Sequence, residues 1–420
     1  MNDAEALSNP LLAQRWQRIL DAIALKEPDK VPFSIFNHFF PATYAGFNFR
    51  EAMYDHEKFF AATREVVIDL EPDMYLPPNT NITMGRAMEI MGYRQLEWPG
   101  HGLGDDAPFQ YLDKEYMSAD EYDDYVFDPT GFFLHTYLPR VAEAFEVFKA
   151  FPQYPTLYYF KIIRSVASFA RPAMKEGLAR LAEAGEAIRG MDKDGMQLIK
   201  ELEELGFPIS AGGGAAAPFD HFADYLRGSK GAMLDMFRHP DKLLAAMEKA
   251  SVLIARDAIR TASRHPYCKI VFMPMHWGLD GFMSPDQFET FFWPQLRDVM
   301  MRLIEADLVP CLLWEGKCDS RLETMADIPP GKVIYWFEQT DMFRAKDILG
   351  DIACLRGNVP ASLLVTGTPD EVDDYCKKLI QKCAKGGGLI VDGGIGIPDE
   401  AKVENVRAMA QATKKYNVSG

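Results

Sequence analysis

The chain has 420 residues, 48% of them hydrophobic, enough for two or three average domains or for one α/β barrel of ~250 residues or more with additions. Its 45 Lys and Arg stand against 61 Asp and Glu, a formal charge of −16, which argues against nucleic acid and against an anionic membrane surface as partners. No apolar run approaches the ~18 residues of a membrane span. The first residues lack a signal pattern, and six cysteines without a Cys-x-x-Cys pair suit a reducing, cytoplasmic setting.

Leu12, Trp16, Ile19, Leu20 and Ile23 share one stripe, which predicts an amphipathic helix over 12–27. Residues 31–36 read as a first strand that stops at Asn37-His38. A helix over 55–70 leads to a second strand over 73–78. The strand rhythm then breaks. Residues 79–150 interleave aromatics with acids and read as a large insertion, of the kind that forms a lid or pocket wall. Residues 175–204 are helical, and 206–210 form a third strand running into Ala211-Gly-Gly-Gly. Gly213 there allows close backbone approach to a ligand, or a tight turn; the spacing fits neither a dinucleotide fingerprint nor a P-loop.

The fourth strand, 269–275, ends at His276 and Trp277, with Asp280 in the loop before a helix start at Ser284-Pro-Asp-Gln287. The fifth begins at Val309 as an unbroken apolar run, the pattern of a strand buried on both faces, and breaks into Glu315-Gly-Lys-Cys318. The sixth (333–337) ends at Glu338, the seventh (353–356) at Asn358 and the eighth (389–391) at Asp392. Thr368-Pro-Asp-Glu371 opens a capped helix, and 402–415 form the last one.

Eight strands alternating with helices predict one α/β domain over 1–420, a (β/α)8 TIM barrel with a large insertion after the second strand. Such barrels keep their chemistry at the C-terminal strand ends. Glu315, His276 and Asp280 are therefore the expected catalytic groups. Asn37, His38, Gly213, Trp277, Glu338 and Asn358 are the expected substrate contacts. His38, His276, Glu315 and Asp392 are expected to cluster, with the carboxylates sharing a proton or a cation.

Several stretches resemble the uroporphyrinogen decarboxylase superfamily, which includes cobalamin-dependent methyltransferases. They are Glu27-Pro-Asp-Lys-Val-Pro32, Phe282-Met-Ser-Pro-Asp-Gln-Phe288, Gly357-Asn-Val-Pro360, Gly367-Thr-Pro-Asp-Glu-Val372, Gly386-Gly-Gly-Leu-Ile390 and Gly396-Ile-Pro398. Two departures shape what the resemblance implies. Decarboxylases of the family carry an arginine-rich stretch at the first strand, where this chain reads Ile35-Phe-Asn-His-Phe-Phe40. Without that carboxylate clamp, a porphyrinogen substrate is disfavoured. The zinc motif of the thiol-methylating members is not matched either. Glu315, Cys318 and Asp392 stand near its positions, with His276 as a nitrogen donor, for zinc or another divalent metal.

The resemblance thus implies a methyltransferase moving an oxygen-bound methyl group between a small-molecule donor or acceptor and a cobalamin on a partner corrinoid protein, with a homodimer admitted as an assembly. A decarboxylase or lyase using Asp280 or Glu315, and a non-catalytic corrinoid or porphyrin binder, are the alternatives.

Overall fold

The computed structural model describes residues 7–78, 82–153 and 157–416. Its barrel strands are all parallel, a pair made of β1 (Ser34–Ile35) and β2 (Met74–Tyr75) and a six-stranded sheet made in order of β3 (Gly213–Gly214), β4 (Ile270–Met275), β5 (Val309–Trp314), β6 (Ile334–Phe337), β7 (Cys354–Gly357) and β8 (Leu389–Ile390). Registers run Ser34 to Met74, Gly213 to Val271, Cys311 to Ile334 and Leu355 to Leu389. Backbone hydrogen bonds continue from β8 to the chain just before β1, with Ser34 N donating to Val391 O and Val391 N to Pro32 O, both at 2.9 Å. Tyr75 N donates to Pro208 O at 3.1 Å and Ser210 N to Tyr75 O at 2.8 Å, which links β2 to the chain leading into β3, the arrangement expected for a barrel.

The third strand is where the sequence expectation needs correcting. The sequence predicts it over 206–210, but only Ile209 bridges β2, and the partner of β4 is Gly213-Gly214. The glycines explain the shift. A Cβ on Gly212 would lie 2.2 Å from the Cys268 carbonyl, and one on Gly213 would lie 2.9 Å from the Ala262 side chain. The strand presses against its neighbour and against the helix Pro240–Ala262, so close packing explains the glycine at 213.

Phe36, Leu76, Leu313 and Trp336 form a cluster within the ring, with Phe272 packed against it. The Arg356 guanidinium lies 3.7 Å from the Trp336 ring centroid and pairs with Asp392 at 2.7 Å. It also donates to Ser34 Oγ at 2.9 Å. At the other end, Asp73 binds Arg18, Lys30 (2.9 Å) and the Phe33 amide (2.8 Å), which ties the first helix, Pro10–Ile23, to the first two strands.

Between β2 and β3 lie the insertion, with short strands Leu96–Pro99, Gly102–Leu103 and Gln110–Tyr111, and the long helix Pro172–Glu204. The insertion is fastened to the segment after β3. The amides of Tyr116 and Met117 both donate to Leu226 O at 2.7 Å, and Tyr122 Oη donates to Asp235 at 2.8 Å. Arg227 reaches Asp235 at 2.6 Å, and also Glu115 and the Met117 carbonyl. No helix among the described residues is long and apolar enough to cross a membrane.

Candidate active site

The last residue of β4 is Met275, and the next two amides, of His276 and Trp277, are held by Asp220 at 2.8 and 3.2 Å. Asp220 closes the turn Pro218–Asp220, which widens into a π-helical turn over His221–Leu226, a local geometry that often marks functional sites. That turn presents Asp224 to the same two residues. Asp224 accepts from His276 Nδ1 and from Trp277 Nε1, each at 2.7 Å. On the far side of the ring, Glu315 Oε1 lies 3.6 Å from His276 Nε2. Glu315 follows β5 directly, and Gly316, at φ +146°, lets the chain turn there, where a Cβ would lie 2.8 Å from the tip of the Leu279 side chain.

His276 thus lies between two carboxylates. Burial alone would lower its pKa, but the bonds to Asp224 and Glu315, with the charge of Asp220, push it up to about 11. The imidazolium is the resident form at neutral pH. Asp220 is raised well above the carboxylate range by burial and by the nearby charge of Asp224, with His276 opposing. Burial lowers His38, against the attraction of Glu315. It also pushes His221 down to about 4 and, with the charges of Asp224 and Asp220, Tyr225 up to about 12. Aromatic rings of the insertion reach this region. Phe109 lies 6.3 Å from the His38 ring and 6.0 Å from Phe39, and Tyr111 lies 6.5 Å from Tyr225.

Of the expected residues, the structure brings His276, Trp277 and Glu315 together, with His38 close enough to feel the Glu315 charge. Asp280 lies elsewhere in the same loop system. It accepts from Ser320 Oγ at 2.8 Å and pairs with Arg321 at 3.5 Å, bracing the loops after β4 and β5. Glu338 and Asn358 line a separate cavity of about 460 Å³ beyond the ends of β6 to β8. There Tyr375 Oη donates to Asn358 Oδ1 at 2.8 Å. Asn37 is buried, its Nδ2 has no partner among the described residues, and its backbone pairs with Ile397.

The four expected metal ligands do not form one set. The Cys318 thiol is fully buried against Thr340 Oγ1 at 3.2 Å, and burial raises its pKa, which disfavours the thiolate a metal needs. Asp392 is fully buried and held by Arg356 and by the Gly393 amide at 2.7 Å, so it faces a guanidinium and not the mouth. Among the described residues, the one trio of His, Cys, Asp or Glu whose ligand atoms lie within 4.8 Å of one another is His56, Glu57 and Asp194. These belong to the helices His56–Leu70 and Pro172–Glu204, not to strand ends. A zinc held jointly by Glu315, Cys318, Asp392 and His276 does not fit, and neither does a four-residue cluster that includes Asp392.

Asp220 and Asp224 escaped sequence reasoning. Their signal was two acids four residues apart, one helical turn, immediately after a glycine-rich strand end.

Residues 127–416 match the family described as uroporphyrinogen decarboxylase (URO-D). The uroporphyrinogen decarboxylase of Coxiella burnetii (strain Dugway 5J108-111) is 22% identical over 187 residues, 44% of this chain and 50% of that protein. That of Chlorobium luteolum is 24% identical over 262 residues, 60% of this chain and 70% of the relative. The match thus spans about half the length of the first of these relatives. A methyltransferase from Methanosarcina mazei shares the fold, with a TM-score of 0.57 at 17% identity over 97% of this chain and 99% of the other. The chain belongs to the uroporphyrinogen decarboxylase family.

Proposed function

We propose that this protein is a corrinoid-dependent methyltransferase that moves an oxygen-bound methyl group from a small substrate to a cobalamin on a partner protein. The observation that carries this reading is the line Asp224–His276–Glu315 at the ends of β4 and β5. Breaking a methyl–oxygen bond leaves an oxyanion that needs a proton. His276 holds one on Nε2, and its 3.6 Å separation from Glu315 leaves that hydrogen loosely engaged and open to a substrate oxygen. A pKa of about 11 is close to the ~10 of a phenol, so the proton moves as charge develops on an aryl oxygen and not before. Asp224 fixes the ring and stabilises its charge; Glu315 steers the donor. The corrinoid, when bound, supplies the nucleophile that accepts the methyl group.

Support also comes from what carboxylates would meet. Residues 35–40 contain no arginine, and Arg356 is engaged by Asp392 within the ring, so a polycarboxylate lacks the clamp it requires. Phe109 and Tyr111 of the insertion, packed near His38 and Tyr225, suit a lid over an apolar methyl donor. Six buried free cysteines suit a reducing cytoplasm.

The test is anaerobic formation of methylcobalamin from an aryl methyl ether and free cob(I)alamin by wild type, His276→Gln and Glu315→Gln. Both variants are expected to lose ~10²-fold or more in rate. Carbon dioxide release from a carboxylated substrate, with no methyl transfer from any ether, would assign the site to decarboxylation instead.

A further inference from the structure

Whole-chain charge hides one local contrast. From Val147 to Lys175 there is no Asp or Glu, while Lys149, Lys161, Arg164, Arg171 and Lys175 are all cationic, in a chain of net charge −16. The same stretch carries the helix Tyr159–Ser165 and the 3₁₀ turn Val166–Ala170. Leu157, Tyr159, Phe160, Ile163 and Val166 are each between 54% and 68% exposed. At ~150–250 Å² for a large side chain, these five alone present roughly 600 Å² of apolar surface, the upper end of the ~300–600 Å² found for the largest patch on ordinary monomers.

We propose that residues 157–175 lay the protein on the anionic surface of a lipid bilayer. At ~100° per residue, Tyr159, Phe160, Ile162 and Ile163 share one arc of about 160° on a single helix, Lys161 and Arg164 stand beyond its edge, and all six are exposed. An apolar face bordered by basic side chains is the pattern of a helix lying in the headgroup plane, with its rings toward the acyl chains and its cations among the headgroups. Lys161 and Arg164, both exposed, reach anionic headgroups while the rings sink to the acyl boundary. A two-fold contact between copies of this patch would instead set like charges face to face. The acidic remainder of the surface does not prevent attachment, because charges more than ~10 Å away are screened at physiological salt. On this proposal, the expectation of no membrane partner narrows to the absence of a spanning helix among the described residues.

Flotation of the full chain with phosphatidylcholine vesicles, with and without 30% phosphatidylserine, tests this, alongside Phe160→Ser/Ile163→Ser and Lys161→Glu/Arg164→Glu. Wild type is expected to float at least tenfold more with the anionic vesicles. Each double variant should lose most of that binding while keeping its far-UV spectrum and melting temperature, since the altered side chains are exposed. Failure of wild type to float, equal flotation with neutral vesicles, or a lipid-free dimer that Phe160→Ser/Ile163→Ser dissociates without any vesicle binding would each overturn the proposal.

Discussion

Asp224 takes the Nδ1 hydrogen of His276 at 2.7 Å, and this one contact decides which nitrogen of the ring is left to face Glu315 and a substrate. It also supplies the first of the stabilising interactions that keep the ring charged. Substitution Asp224→Asn should therefore move the alkaline limb of the rate profile, and the His276 titration seen by NMR, downward by on the order of one to two pH units. An unchanged titration would mean that Glu315 and Asp220 suffice to hold the charge.

Stability should fall as pH rises, for two groups with the same sign. His276 is raised in the folded state, so its contribution is complete below its ordinary pKa of ~6.5 and disappears as pH climbs through about 11. Asp220 is also raised, by burial and Asp224; its contribution is complete below ~3.9 and is lost as pH rises through the elevated value. Urea melts across this range should show a shallower acid-side slope for Asp220→Asn than for wild type.

Asp392→Ala leaves the Arg356 guanidinium buried without its counter-charge. The expected cost is about 3–5 kcal/mol, read as a lower urea midpoint with an unchanged m-value. Replacing both residues by apolar ones of similar volume should recover much of that loss.

Cys318→Ser separates a ligand from a packing thiol. With Sγ fully buried at 3.2 Å from Thr340 Oγ1, the hydroxyl can keep the contact. Metal content of the purified protein should be unchanged, and stability lower by about 1–2 kcal/mol. Loss of one equivalent of zinc in the variant would restore Cys318 to a metal site.

Phe109→Ala removes the ring that faces His38 and Phe39 but touches no proton-transfer group. KM for the methyl donor should rise several-fold, with kcat changed less.

The strands and caps were legible because their causes are local. The wholly apolar run Val309–Trp314 is a strand buried on both faces, and the capping boxes at Ser284 and Thr368 form as their spacing requires. The site was legible only where a strand simply ended, at His276 and Glu315. Asp392 also ends a strand, but its partner was unreadable: Arg356, on the neighbouring β7, turns it into the ring. Cys318 looked like a ligand from its place in the turn, and only the contact with Thr340, twenty-two residues on, shows it to be packed away. Asp220 and Asp224 depended on a pairing across fifty residues that no local pattern encodes.

The fastening of the insertion to the segment after β3 bears on how such a protein can be re-engineered. Tyr116, Met117 and Tyr122 are bonded to Leu226 and Asp235, on the same stretch of chain that carries Asp220 and Asp224. A chimera that exchanged residues 82–150 alone would sever these ties and disturb the carboxylates that charge His276. The transferable unit is the insertion together with residues 218–238, so an exchanged insertion brings its own acid-tuning turn with it.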